Sequence, residues 1–306
     1  MRYGVPYMGS KNGIARQIVD FLPKADVLVD LFAGGGAITH AALLSGKWER
    51  VIANDTSDII QLFYDAAKGK YRDEKRWISR EDWWRLKDSD PYVKYCWSFG
   101  NGGYSYLYGK HIEEYKHHLH NVYTAETLEE CKKAVRRLLV YLNDNRPEKE
   151  PEHPTESESL QRLQRLESLE RLESLERLER LERLERLSVF RLDYAQVEIP
   201  SGAVVYCDIP YNTSASTIRK KTYCNGFDFP RFYAWAQSRD FPVYISEYAM
   251  PEGFTSVWHM EKQNTFSGGK AQKTMTENIF VADKFLEQVN CGDHHRMEQL
   301  TMFDTA

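Results

Sequence analysis

Apolar positions follow two rhythms along the 306 residues of the chain. Short apolar runs read as strands: "DVLVDLF", "RVIAN", "LSVFRLDY", "AVVYC", "FPVYISEY", "FTSVWHM" and "TENIFVA". Runs that are apolar nearly throughout suit strands buried on both faces. Between them lie stretches with helical spacing. "NGIARQIVDFL" predicts an amphipathic helix ended by Pro23, and "AITHAALLS" predicts one ended by Gly46. "DIIQLFYDAA" and "DFPRFYAWAQSRD" predict two more. Strand, helix, strand, helix is the order of a parallel sheet covered by helices.

That order is interrupted once. From residue 65 to 142 tryptophans, tyrosines, histidines, lysines and arginines crowd together, with basic residues in excess over acidic ones. A polar, proline-bearing stretch follows, "NDNRPEKEPEHPTESES". Then leucine recurs at every third residue from Leu160 to Leu187, with Glu and Arg four apart, as in Glu167/Arg171. A period of three slips about 60° per repeat against a helix of 3.6 residues per turn, so it does not build a long coiled-coil seam. The repeat reads as a peripheral spacer or a partner-contact helix. The expected organisation is a catalytic domain split between residues 1–64 and 188–290. The remainder is an insert at 65–142, a linker and repeat at 143–187, and a tail at 291–306.

Composition changes this picture little. At 42% hydrophobic and 13% aromatic, the chain can bury one substantial core and a smaller unit. The net charge of −4 excludes a globally basic nucleic-acid binder. Five widely spaced cysteines without a C-x-x-C pair suggest neither a disulfide framework nor a zinc site. No apolar leader and no run of about 18 apolar residues is present, so a cytoplasmic protein without membrane contact is expected.

The chemistry concentrates at three strand ends. "DLFAGGGAIT" puts Asp30 at the end of one strand and Gly34, Gly35 and Gly36 in the turn after it. Glycines there let a ligand approach the backbone, but the spacing is neither G-x-G-x-x-G nor a P-loop. Asp55 ends the next strand, where an acid suits the hydroxyls of a ribose. In "VVYCDIPYNTS", Pro210 favours an extended Ile209, whose carbonyl would then stand beside the Asp208 carboxylate, with the Tyr211 ring next to both. Two acceptors match the two N–H donors of an exocyclic amine, and the ring matches the face of a base. The same residues also suit a plain turn closing a strand.

Taken together and in this order, the motifs resemble the Dam-type (class alpha, D12-like) N6-adenine DNA methyltransferases. "YMGSK" is similar to that family's N-terminal cofactor motif, mapping to Tyr7 and Lys11. "DLFAGGG" resembles its glycine motif, mapping to Asp30, Phe32, Gly34 and Gly36. Asp55 matches the ribose-binding acid, and "CDIPY" stands where Asp-Pro-Pro-Tyr belongs. The resemblance implies a class I methyltransferase fold, a Rossmann-like α/β sheet that is mostly parallel with one antiparallel strand, carrying a mainly helical recognition insert. It implies S-adenosylmethionine as cofactor, bound by Tyr7, Lys11, Asp30, Phe32, Gly34, Gly36, Asp55 and Asp208, with no metal. It also implies methyl transfer to N6 of an adenine flipped out of double-stranded DNA, with Asp208, Ile209, Pro210 and Tyr211 as the catalytic group. Ile209 departs from the family's first proline but supplies the same main-chain carbonyl.

The short insert predicts short or relaxed sequence specificity. Asn101 and Tyr104 in "CWSFGNGGYSYLYG", Arg219, Lys220 and Lys221 in "STIRKKTY", and Lys270 in "FSGGKAQK" are the candidate DNA contacts. "WSFGNGGYSYLYG" either lines the base pocket or builds the insert's core, and "YKHHLH" reads as a surface basic patch rather than a metal site. At the C-terminal end, Gln299, Leu300, Met302 and Phe303 resemble the bacterial sliding-clamp-binding motif. Two alternatives stay open. One is methylation of another exocyclic amine, N4 of cytosine or adenine in RNA. The other is a catalytically silent DNA- or clamp-binding relative.

Overall fold

A computed structural model describes residues 3–7, 9–145, 184–210, 226–263 and 274–289. The chain forms two compact units. The first holds residues 11–60 and the described residues from 184 onward; the second holds the described residues of 2–10 and 61–182.

The first unit is built on a seven-stranded sheet. Its strands are β1 (Val27–Asp30), β2 (Arg50–Asn54), β3 (Leu187–Phe190), β4 (Val204–Asp208), β5 (Val243–Glu247), β6 (Phe254–Gln263) and β7 (Thr274–Ala282). Their spatial order is β3-β2-β1-β4-β5-β7-β6. β1 to β5 run parallel, and β7 runs antiparallel to both β5 and β6. This is the Rossmann-like sheet with one antiparallel strand that the resemblance implies.

Helices α1 (Ala15–Phe21), α2 (Ala37–Ser45), α3 (Ile59–Ala67) and, after β4, Phe229–Ser238 follow the apolar spacing. Their ends have local causes. Gly46 closes α2 at φ 65°, a left-handed conformation that costs glycine little. Asp228 caps the helix after β4 by accepting a bond from the Arg231 N–H at 3.0 Å.

The strands alternate between two buried faces. Val29, Leu31, Val205, Cys207, Val243 and Ile245 share one core with Phe232 and Ala236 of the helix after β4. Leu28, Asp30, Tyr206 and Ser246 are buried on the other face. Leu187, the last leucine of the repeat, is taken into β3 opposite Val51.

The second unit is mainly helical: α4 (Arg80–Leu86), α5 (Pro91–Cys96), α6 (Lys110–Tyr123) and α7 (Leu128–Asp144). The helix after β4 is accordingly α8. Thr127 and Glu130 close a capping box on α7, which runs on through Asn143 and Asp144, the first polar residues of the expected linker. Rings form this unit's core. Trp83, Tyr92, Trp97, Tyr106 and Tyr108 are buried, and Tyr71 stacks on Tyr92 at 5.1 Å.

"WSFGNGGYSYLYG" therefore divides. Trp97, Tyr106 and Tyr108 build the core, while Phe99 and Tyr104 are exposed. "YKHHLH" is not a simple surface patch: His120 is buried with Nε2 at 2.8 Å from the Lys75 carbonyl, and His117 stacks on Trp77 at 4.7 Å.

Candidate active site

Strand order locates the site. From β1 the chain moves outward through β2 and β3, then crosses back to add β4 and β5 on the other side. The reversal lies between β1 and β4. Ligands of open α/β sheets bind at such a switch point, beyond the carboxyl ends of the strands. Asp30 ends β1 and pairs with Tyr206, so Asp208 lies one pleat further along β4 at the same edge.

The turn after β1 is held by the backbone. Ala33 N–H donates to the Asn54 carbonyl at 2.8 Å, and Gly36 N–H donates to the Ala33 carbonyl at 2.7 Å. Gly34 and Gly36 have φ of 50° and 73°, where a Cβ would be strained. Asp55 closes the turn from β2. Its Oδ2 accepts the Gly34 N–H at 2.8 Å and its Oδ1 accepts the Ser57 N–H at 2.9 Å. Burial raises the Asp55 carboxyl, and those two N–H groups oppose the rise. Each oxygen keeps a lone pair, so a diol could still be bound.

Asp30 is 1% exposed. Its Oδ2 accepts the Thr39 hydroxyl of α2 at 2.7 Å, and its Oδ1 has no hydrogen-bond partner. Burial pushes this carboxyl up to about 7; Thr39 opposes the rise, and Asp208 and Asp55 add to it. Phe32 is packed among Tyr194, Phe232 and Phe227, with ring centroids at 5.5, 5.5 and 5.7 Å.

Asp208 meets Lys11. The ammonium is 2.6 Å from Oδ1, with the lysine 4% exposed and the aspartate 19%. Burial pushes Asp208 up to about 6 against the pull of Lys11, and Glu277 and Asp55 push in the same direction as burial. Ile209, by contrast, is 2% exposed and belongs to the core on the opposite face. Alternation thus sends the isoleucine inward and the carboxylate toward the edge.

The donor set fits a nucleoside cofactor carrying a positive charge. It offers a glycine turn open to close approach, the Asp55 carboxylate after β2, an orphaned buried oxygen on Asp30, and the Asp208 carboxylate at the switch point.

Tyr7 belongs to the second unit, where its ring meets Tyr95 edge-on at 6.0 Å. Asn101 and Tyr104 belong to the same unit. Asn101 takes φ 56° and donates from Nδ2 to the Tyr95 carbonyl at 3.1 Å, while Tyr104 is 57% exposed. Tyr211, Arg219, Lys220, Lys221, Lys270 and the Gln299–Phe303 motif lie outside the described residues. Among the described residues no group of three or more His, Cys, Asp or Glu could hold a metal ion, and no helix is long and apolar enough to cross a membrane.

Residues 7–143 match the D12 class N6 adenine-specific DNA methyltransferase family. The match takes in Tyr7, Lys11, Asp30, Phe32, Gly34, Gly36, Asp55, Asn101 and Tyr104, and ends before β4. No curated protein matches the chain. One similar solved structure comes from Pyrococcus horikoshii, where its assignment as an RNA methyltransferase is itself provisional. It is 12% identical, covers 88% of this chain and 80% of its own, and has a TM-score of 0.31. A likeness at that score carries no argument.

Sequence patterning passed over several buried polar residues of the first unit. Asn54 donates from Nδ2 to the Leu31 and Leu192 carbonyls at 3.1 and 3.0 Å and accepts the Leu192 N–H at 2.9 Å. Tyr206 and Ser246 share a buried hydroxyl pair at 2.7 Å. Glu277 is buried in β7.

Proposed function

We propose that the chain transfers a methyl group from S-adenosylmethionine to N6 of an adenine flipped out of double-stranded DNA. The observation that carries the reading is Asp208 at the carboxyl end of β4, beside the switch point, in a chain whose residues 7–143 match the N6 adenine family. Gly34, Gly36 and Asp55 would hold the cofactor's nucleoside at the end of β1, with Lys11 and Asp208 at the neighbouring strand end. The bound cofactor supplies the methyl group as a sulfonium.

The chain's own residues bind and orient the amine. Asp208 accepts one N6 hydrogen and the Ile209 carbonyl accepts the other; Pro210 fixes the turn and Tyr211 stacks on the base. Lys11 must yield part of its hold on Asp208 for the amine to bind. Positioning and charge complementarity then lower the barrier without a metal.

Nucleosides from treated DNA and RNA, analysed by mass, test this. N6-methyladenine in DNA from wild-type protein and none from Asp208→Ala is expected. Equal incorporation by the two proteins, or methyl found on cytosine or in RNA instead, would sink it.

The reading extends to DNA contacts at Asn101, Tyr104, Arg219, Lys220, Lys221 and Lys270, and to a clamp partner held through Gln299, Leu300, Met302 and Phe303. Pull-down of sliding clamp that is unchanged by deleting Gln299–Phe303 would remove the clamp partner.

A further inference from the structure

We propose that Glu277 is a positioning residue of this site, a second buried carboxylate whose negative charge offsets Lys11 and keeps Asp208 a strong acceptor. The inference rests on the methyl-transfer reading. Its geometry does not.

β4 pairs with β5 so that Asp208 lies opposite Ser246, and β5 pairs with β7 so that Ser246 lies opposite Ile279. Paired residues share a face, and so do residues two apart on one strand. Asp208, Ser246, Ile279 and Glu277 therefore share the face that also carries Asp30 and Tyr206. The opposite face is the apolar core of Cys207, Ile209 and Ile245. Along β7 the same face reads Glu277, Ile279, Val281, and the two apolar residues are 0% exposed. Glu277 is 6% exposed in that apolar series. A carboxylate in that apolar series keeps its charge only where polar or charged neighbours compensate its burial.

The titratable groups coupled electrostatically to Asp208 come from several elements. They are Lys11 before α1, Asp30 on β1, Asp55 after β2, Tyr206 and Cys207 on β4, Tyr248 after β5, and Glu277 on β7. Lys11 is the cation of this set and binds Oδ1 at 2.6 Å. Glu277 acts against it on Asp208 and also reaches Tyr206 and Tyr248.

The chemistry asks for that balance. Methylation replaces one N6–H bond by N6–CH3. The nitrogen lone pair forms the new bond to carbon, the carbon–sulfur bond breaks with its electrons on sulfur, and the charge now on nitrogen leaves as a proton. That proton goes to Asp208 and then to water. A carboxylate dominated by Lys11 is a weak acceptor, and the field of Glu277 counters this.

The test compares wild type with Glu277→Gln and Glu277→Asp. Asp208 is titrated by carboxyl-carbon NMR in cofactor-free protein, its signal assigned by loss in Asp208→Asn. The pH profile of single-turnover transfer to DNA is measured in parallel. Glu277→Gln is expected to lower both midpoints by on the order of half to one pH unit. At pH below both midpoints it then keeps about three- to ten-fold more of its plateau rate than wild type does. The plateau itself falls, and KM for DNA stays. Glu277→Asp is expected to keep the wild-type midpoint.

A wild-type midpoint in Glu277→Gln, or a Glu277→Asp midpoint moved as far as that of Glu277→Gln, overturns the inference. If Glu277→Gln does not fold, Glu277→Asp decides: a kept midpoint supports the role and a moved one overturns it. Wild-type protein that transfers no methyl overturns the methyl-transfer reading instead. The carboxyl titration still decides what Glu277 does to Asp208.

Discussion

Lys11 and Asp208 form a short, part-buried ion pair at the carboxyl end of β4, and on the proposed reading the pair sets how the site responds to pH. Ionised Asp208 is the stronger acceptor for N6 and the form able to take its proton, so kcat/KM is expected to fall as pH drops through about 6. Lys11→Met removes the charge that favours the ionised form. Its acid limb is therefore expected above the wild-type limb, measurable in a kcat/KM profile between pH 5 and pH 8.

Asp30 makes a stability prediction of definite sign. Its folded carboxyl titrates at about 7, above the unfolded value, so the folded protein binds more protons between the two. Stability from this group is present at low pH and is lost as pH rises toward 7. Asp30→Asn is expected to flatten that fall, by at most about 1.4 kcal/mol per pH unit, in urea titrations from pH 4 to pH 7.

Ile209 makes a third case. Its side chain is buried on the face opposite Asp208, while the atom the site needs is its carbonyl. Ile209→Pro should hold activity within a few-fold and lose about 1 kcal/mol or more of stability from the emptied core position. A large gain in activity would show that the isoleucine impairs the site.

At the scale of elements, the turn between β1 and α2 depends on left-handed backbone at Gly34 and Gly36 and on the Asp55 carboxylate that accepts the Gly34 N–H. Gly36→Ala is expected to cost about 1–2 kcal/mol, read as a lower Tm, and to weaken cofactor binding in calorimetry by displacing the same turn. Punctuation of this kind was legible. Pro23 and Gly46 marked the ends of α1 and α2, because such signals act within one turn of backbone. The insert was harder to divide into elements. Its aromatic residues are packed as a ring core, with Trp77 against Tyr108 and His117, and such packing follows no short period.

For the whole molecule, a nucleoside cofactor that binds only the folded chain should raise Tm with the logarithm of its concentration once that exceeds Kd. The expected gain is about 2.7 kcal/mol at a hundred times Kd, and Asp55→Ala should shrink it at the same concentration. A Tm indifferent to S-adenosylmethionine would count against the glycine turn as its site.

The sequence by itself determined the strand and helix order outside the insert, the acidic strand ends at Asp30, Asp55 and Asp208, and the resemblance to N6-adenine methyltransferases, because these depend on local period and on motifs short enough to read in line. Tertiary structure alone decided that β1 and β4 are neighbours across the switch point, that Lys11 reaches Asp208 over 197 residues of chain, and that Glu277 shares their face. Those facts are set by strand order and register. Both are fixed by packing two buried faces at once, and neither is written in any one stretch of the chain.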